Sequence, residues 1–233
     1  MDKFLRKIST LLVYLFLICN SILVLGPVIW TIMASFKKGN NLFSSTFSGI
    51  EFTFDHYITL FTDTPYMQWY LNTFILATAN MLISLFVVTM TAYVFSRYRF
   101  RGKRNTLMSI LILQMFPAFL SMTAIYILLS KANLIDTYTG LLLVYVTGSL
   151  PFMTWLVKGY FDAIPTSLDE AAKIDGAGHL TIFIQIILPL AKPILVFVGL
   201  VSFTGPWMDF ILPTLVLRSE DKKKFLFGEK RCV

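Results

Sequence analysis

The chain has 233 residues, of which 56% are hydrophobic and only 14% charged, with 22 phenylalanines, a net charge of +7 and a mean hydropathy of +0.71. That apolar content exceeds what a soluble core of this length can bury, so the composition excludes an ordinary soluble enzyme and makes bilayer lipid the missing solvent. Two cysteines, Cys19 and Cys232, exclude a disulfide framework and a cysteine-based metal site, and neither stands in a lipidation context.

In chain order, apolar runs long enough to cross ~30 Å of hydrocarbon fall at 11–33, 71–95, 107–129, 139–157 and 193–217. They predict an all-α integral membrane protein, a helical bundle with five transmembrane helices in one domain over 1–217. The first run follows Lys3, Arg6 and Lys7, but it is longer than a signal-peptide core and carries no A-x-A cleavage site, so it reads as a retained helix. Between the first two runs, Gly39, Asn40, Asn41, Ser44, Ser45, Thr46, Ser48 and Gly49 predict an ordered loop, with a short helix starting at Asp55. Pro117, Pro151, Pro206 and Pro213 each remove a helix hydrogen bond and predict kinks in the later spans. Asn72, Asn80 and Gln114 are uncharged polar residues of the kind that tie neighbouring helices together.

A polar stretch, 158–192, interrupts the pattern between the fourth and fifth runs. Pro165 presets the backbone, and Ser167 with Glu170 has the S-x-x-E spacing of a capping box, which predicts a helix start. Asp175-Gly176 predicts a turn that ends this helix, and a second helical run from His179 to Leu188 is expected to stop before Pro189. With the N-terminus inside, Arg97, Arg99, Arg101, Lys103, Arg104, Lys158, Lys173 and Lys192 fall on the cytoplasmic side together with this helix-turn-helix loop, whereas Lys37, Lys38 and Lys131 fall outside. The basic excess therefore points to membrane topology and not to nucleic acid. Arg97 to Arg104 read first as a topology anchor, with a headgroup or partner site as the other option.

Catalytic signatures are missing. There is no Walker-type phosphate loop, no H-E-x-x-H and no G-x-S-x-G, and His56 and His179 stand alone, so no cofactor, metal or catalytic residue is expected. Asp209 is the one carboxylate deep in a predicted span. Such a group either lines a cavity or path, or caps and hinges a helix that ends early near Pro213. Trp207 beside it is either a stacking platform for a sugar ring or an interfacial anchor.

Glu170-Ala171-Ala172, Gly176, Ile186 and Leu188-Pro189 resemble the EAA-x3-G-x9-I-x-LP signature of the permease subunits of bacterial ABC importers, spacing included. Phe161-Asp162-Ala163-Ile164-Pro165 and the run from Phe203 to Pro213 resemble its carbohydrate-uptake branch, most closely the maltose/maltodextrin permeases, which carry Asn-Glu where this chain has Met208-Asp209. The resemblance implies a translocation subunit in a bacterial cell membrane. Its implied partners are a second permease subunit in a heterodimer, two cytoplasmic ATPase subunits, an extracytoplasmic sugar-binding protein and the surrounding lipid, with hydrolysis on the ATPase chains. It also implies that the 158–192 loop is a cytoplasmic coupling element, with Glu170, Ala171, Ala172, Asp175, Gly176, Leu188 and Pro189 as ATPase-coupling residues. Ala171 and Ala172 then allow close approach to the partner and Glu170 pairs with one of its basic residues. Trp207 and Asp209 mark the translocation path. Related permeases continue to a sixth helix, whereas 218–233 is atypical and ends at Val233, so a truncated or frameshifted tail is expected, with a non-functional fragment as one alternative. A secondary transporter is the other, although paired intramembrane charges and inverted halves are not visible.

Overall fold

The structure, a computed structural model, describes residues 2–38, 52–219, 222 and 224. Most of the expected polar loop before Asp55 and most of the atypical tail lie outside the described residues. The chain forms two compact units, Met1–Pro65 and Tyr66–Val233.

In the first unit, α1 (Asp2–Ser35) presents apolar side chains to the surroundings all round, from Leu11 to Met33. A helix with no polar face belongs in lipid or against other membrane helices. Helix α2 (Asp55–Thr62) begins at the expected Asp55. Phe36, Phe54 and Tyr57 cluster beside it with ring centroids 5.4 to 6.4 Å apart, the Tyr57 hydroxyl lies 2.7 Å from Ser35 Oγ, and His56 Nε2 lies 2.9 Å from the Lys37 carbonyl.

The second unit is built on three helices, α3 (Tyr66–Arg97), α6 (Tyr138–Ala163) and α10 (Lys192–Met208), with α3 packed against both others. Val88, Tyr93, Val157, Phe161, Ile187 and Val198 form the centre of their shared core. Asn80 donates from Nδ2 to the Ser202 carbonyl at 2.6 Å, a polar tie between α3 and α10 of the kind expected for uncharged polar residues in spans. Thr137 caps α6, its Oγ1 accepting from Gly140 N at 3.1 Å. Gly140 itself is required by close approach, since a Cβ there would fall 2.3 Å from the Leu134 carbonyl oxygen.

By length and composition, α1, α3 and α6 each suffice to cross a membrane, and the segment His179–Leu190 with Lys192–Met208, bent by 81°, makes a fourth crossing if counted as one. Two of the five predicted runs are not continuous helices. The 107–129 run divides into α4 (Lys103–Gln114) and α5 (Ala118–Lys131), because Pro117 has no N–H to extend α4 and sits with ψ 120° as the residue before α5. The 193–217 run stops at Met208, two residues after Pro206, turns extended at Asp209 and resumes as α11 (Ile211–Val216). Pro151 lies inside α6 without ending it.

Candidate functional site

Helix α7 (Thr166–Ile174) starts where Pro165 presets it, and Pro165 itself occupies the N-cap position. The expected Ser167–Glu170 capping box does not form, because both residues then fall inside the helix and no side chain caps the start. The Glu170 side chain is exposed and makes no hydrogen bond among the described residues, so its carboxylate is not committed to a cap.

The expected turn at Asp175-Gly176 is present, and its chemistry is explicit. Gly176 adopts φ +85°, its N–H donates to the Lys173 carbonyl at 3.0 Å, and the Ala177 N–H reaches back to the Ala172 carbonyl at 2.9 Å. This is a Schellman closure, in which a residue in left-handed conformation satisfies the last carbonyls of a helix. Ala172 and Ala177, the apolar pair that accompanies it, pack onto the bundle core.

Beyond the turn, α8 (His179–Ile182) runs through a π-helical turn (Phe183–Ile187) into the short α9 (Leu188–Leu190). The expected stop before Pro189 is therefore wrong: the chain stays helical to Leu190 and breaks at Ala191. The physical reason is the π turn, where the Leu188 N–H bonds to the Phe183 carbonyl five residues back. The widened turn just before Pro189 relieves the clash and missing donor that would otherwise end the helix there.

The predicted coupling residues divide between two faces. Glu170, Ala171, Asp175, Gly176 and Pro189 are exposed, whereas Ala172 and Leu188 are half-buried and pack against the core. Of the alanine pair, Ala171 is exposed and Ala172 is half-buried with one side on the core. Ile174, by contrast, is 88% exposed and Leu180 is 62% exposed, two large apolar side chains beside Glu170's helix that the sequence reading passed over. An isoleucine at the polar end of a short helix is the signal that could have flagged the first.

Asp169, also passed over, is buried. It faces Arg97 at the end of α3, with Oδ2 2.6 Å from Nε, while the Arg97 Nη1 and Nη2 groups donate to the carbonyls of Phe161 and Ile164 at 3.0 Å each. Spacing carried the clue, since 165, 169 and 172 share one helical face and a carboxylate on the inward face of α7 calls for a cation. Around this joint, Ser96 donates to Asp162 at 2.7 Å, Lys158 pairs with Asp162, and Trp155 donates to the Leu107 carbonyl at 3.2 Å. The basic residues at the end of α3, the start of α4 and the end of α6 thus gather at the end of the bundle that carries α7.

The opposite end holds Asp209. Its Oδ1 accepts from the Ile211 and Leu212 amides at 3.0 and 3.3 Å, and its Oδ2 accepts from the Tyr145 hydroxyl at 2.8 Å. Its bonds to the first α11 amides are those of a helix cap. Lys224 reaches into the same place, where Nζ donates to the Pro206 carbonyl at 2.5 Å and to Tyr145 Oη at 3.0 Å. Trp207 is half-buried and belongs to an aromatic group with Tyr70, Phe74 and Phe203, centroids 5.2 to 6.5 Å apart. Nearby, Asp136 gathers the start of the tail, accepting from Arg218 N at 2.9 Å, Ser219 N at 3.0 Å, the Ser219 hydroxyl and Lys222 Nζ. Hydrogen bonds from the Ser219 hydroxyl and amide, then from Arg218 N, hold its carboxyl well below the usual carboxylate range.

The family described as binding-protein-dependent transport system inner membrane component matches residues 87–226, from within α3 to the tail. The chain belongs to this family. Among similar permeases, the maltodextrin transport system permease protein MdxG of Bacillus subtilis (strain 168) is 41% identical over 224 residues, 96% of this chain and 80% of MdxG. The galactooligosaccharides transport system permease protein GanQ of the same organism is 43% identical over 219 residues, covering 93% of this chain and 77% of GanQ. Among solved structures, a bacterial ABC transporter involved in the import of the acidic polysaccharide alginate matches with a TM-score of 0.86 at 25% identity, over 97% of this chain and 80% of that one. This permease is accordingly a multi-pass membrane subunit that performs translocation, with ATP hydrolysis on a separate ATPase. Membership overturns the secondary-transporter alternative.

Proposed function

We propose that this permease is the membrane subunit of an ATP-driven importer of maltodextrins or related oligosaccharides, and that α7 with its Gly176 turn is the cytoplasmic element that couples it to the ATPase. The observation that carries the reading is a short helix with exposed Glu170, Ala171 and Ile174, closed by a left-handed Gly176 and standing at the basic end of the bundle. Cationic ends resist translocation, so that end and the N-terminus are cytoplasmic. Five crossings follow if the broken pairs α4–α5 and α10–α11 each count as one span.

In the working assembly the chain pairs with a second, different permease, two ATPase subunits dock on the cytoplasmic side, and an extracytoplasmic sugar-binding protein delivers the substrate. Glu170 pairs with a basic ATPase residue, a charge-assisted contact that strengthens when desolvated. Ala171 lets the backbones approach, and Ile174 and Leu180 supply the apolar contact. Asp175, Leu188 and Pro189 hold the angle between α7 and the α8–α9 run, together with Gly176. On the path side, the aromatic group around Trp207 offers a stacking wall for pyranose faces, while Asp209 acts as the hinge beneath it.

The test is uptake of labelled maltodextrins, galactooligosaccharides and unrelated disaccharides by proteoliposomes holding the assembled transporter and its binding protein. Maltodextrin or galactooligosaccharide uptake that requires ATP is expected, and absence of ATP-driven uptake of both by the assembled transporter refutes the reading.

A further inference from the structure

Three elements meet at Arg97. Its guanidinium caps the carbonyls of Phe161 and Ile164 at the end of α6, belongs by its backbone to the end of α3, and faces Asp169 of α7 at 2.6 Å, with both side chains only 9% exposed. The planar fork of arginine makes this three-way contact, whereas a lysine ammonium has no such geometry. Among the described residues the Asp169 Oδ1 atom is buried without a hydrogen bond, and Arg97 is the cation that faces the carboxylate.

Helix α7 itself packs lightly. It is not among the main packing partners of any other helix, and its inward apolar contacts come from small or half-buried groups, Ala172 and the following Ala177. Its covalent connection to α6 is the extended dipeptide Ile164-Pro165, which carries no regular hydrogen-bond ladder. The ends of α3 and α6, by comparison, are tied to each other independently through Ser96 and Asp162. A force applied to the exposed face of α7 therefore reaches the ends of α3 and α6 directly through this ion pair, in parallel with the Gly176 turn into α8, whose His179 carbonyl accepts from the Tyr93 hydroxyl of α3 at 3.3 Å. A buried ion pair resists separation because parting it leaves an uncompensated charge in a dry environment.

We propose that the Arg97–Asp169 pair is the joint that transmits movement of the docking helix to α3 and α6, so that both are positioning residues for coupled transport. The proposal rests on the reading of α7 as the docking element. It assigns Arg97 a mechanical role distinct from that of the neighbouring Arg99, Arg101 and Arg104, which are exposed and serve topology.

The experiment uses the assembled transporter in proteoliposomes with its binding protein, and reads substrate imported per ATP hydrolysed for wild type, Asp169→Asn and Asp169→Glu. Asp169→Asn is expected to lower that ratio at least tenfold while ATPase subunits still co-purify, and Asp169→Glu, which keeps the charge, is expected to restore most of it. Hydrogen exchange on the purified full chain supplies the second readout: Asp169→Asn should speed exchange of the 166–177 amides and leave those of α3 and α6 unchanged. An unchanged import-to-hydrolysis ratio in Asp169→Asn overturns the proposal. So does unchanged exchange over 166–177, which decides the matter where the variant fails to assemble. If instead wild type imports no carbohydrate on ATP, the importer reading fails, and that result is separate from the behaviour of either variant.

Discussion

Replacing Gly176 separates conformational strain from steric clash, because a Cβ at this position meets nothing within 4 Å while φ is +85°. Alanine therefore suffers only the cost of the left-handed region, roughly 1–2 kcal/mol for an L-residue. At most this lowers the population of the closed turn by a factor of about 5–30. Asparagine tolerates the region better and should fall between glycine and alanine. Proline is different in kind: its φ is locked near −65°, and it removes the N–H that donates to the Lys173 carbonyl at 3.0 Å. The rotated backbone also carries the Ala177 amide away from the Ala172 carbonyl, so the Schellman closure is lost as a unit. In reconstituted transporter, import per ATP hydrolysed should rank glycine, asparagine, alanine, then proline, with the proline variant uncoupled but still inserted in the membrane. Normal coupled transport by Gly176→Pro would refute the assignment of this turn to the coupling element.

Glu170→Ala should weaken ATPase docking by roughly 1.5–3 kcal/mol, the range for a hydrogen bond to a charged group, seen as a matching rise in the ATPase concentration needed for co-purification. Unchanged docking would return Glu170 to a surface role. Ile174→Asp puts a charge on an 88% exposed apolar position and should impair docking without lowering the melting temperature of the chain alone. Asp209→Ala removes the acceptor for two α11 amides and should destabilise the purified protein by ~1–2 kcal/mol as a lost cap, with Asp209→Asn milder. A change in sugar selectivity without loss of stability would favour the path-lining role instead. For Asp136 the pH sign follows from its depressed carboxyl: its contribution to holding the tail is complete above the ordinary carboxylate range, near ~3.9, and is lost as pH falls from there through the lower folded value. Protection of the 217–219 amides, taken relative to their intrinsic exchange, should fall on acidification below about pH 4, and Asp136→Asn should abolish that fall.

Helical membrane character was legible from composition alone, and α1, α3 and α6 from uninterrupted apolar length. Interruptions at Pro117 and near Asp209 were legible as kinks or an early end, but not as full breaks, because sequence alone does not say which proline stops a helix and which, like Pro151, is carried through. The α7 turn was legible because Gly176 reports a backbone conformation directly. Its capping box was misread since the S-x-x-E pattern says nothing about where the helix begins, and Pro165 moved that start forward. The Pro189 stop failed for a related reason: a π turn depends on how the preceding residues pack, and Phe183 and Ile187 are buried against the bundle.

The two ends of the bundle use charge in different ways. At the basic end, Arg97 is matched by a carboxylate on a separate short helix, so the pair can part only if α7 moves relative to α3 and α6. At the other end, Asp209 is satisfied by the amides of α11 and by Tyr145 of α6, and it links the end of α10 to α11 and to α6 in one contact set. Between them α10 runs from the bend at Ala191 to the break at Asp209, helical throughout its length and interrupted at both limits. A helix interrupted at both ends and bonded along its side to α3 through Asn80 is suited to move with α3 as one piece. Motion entering α3 at Arg97 would then arrive at the Asp209 hinge with no flexible segment in between.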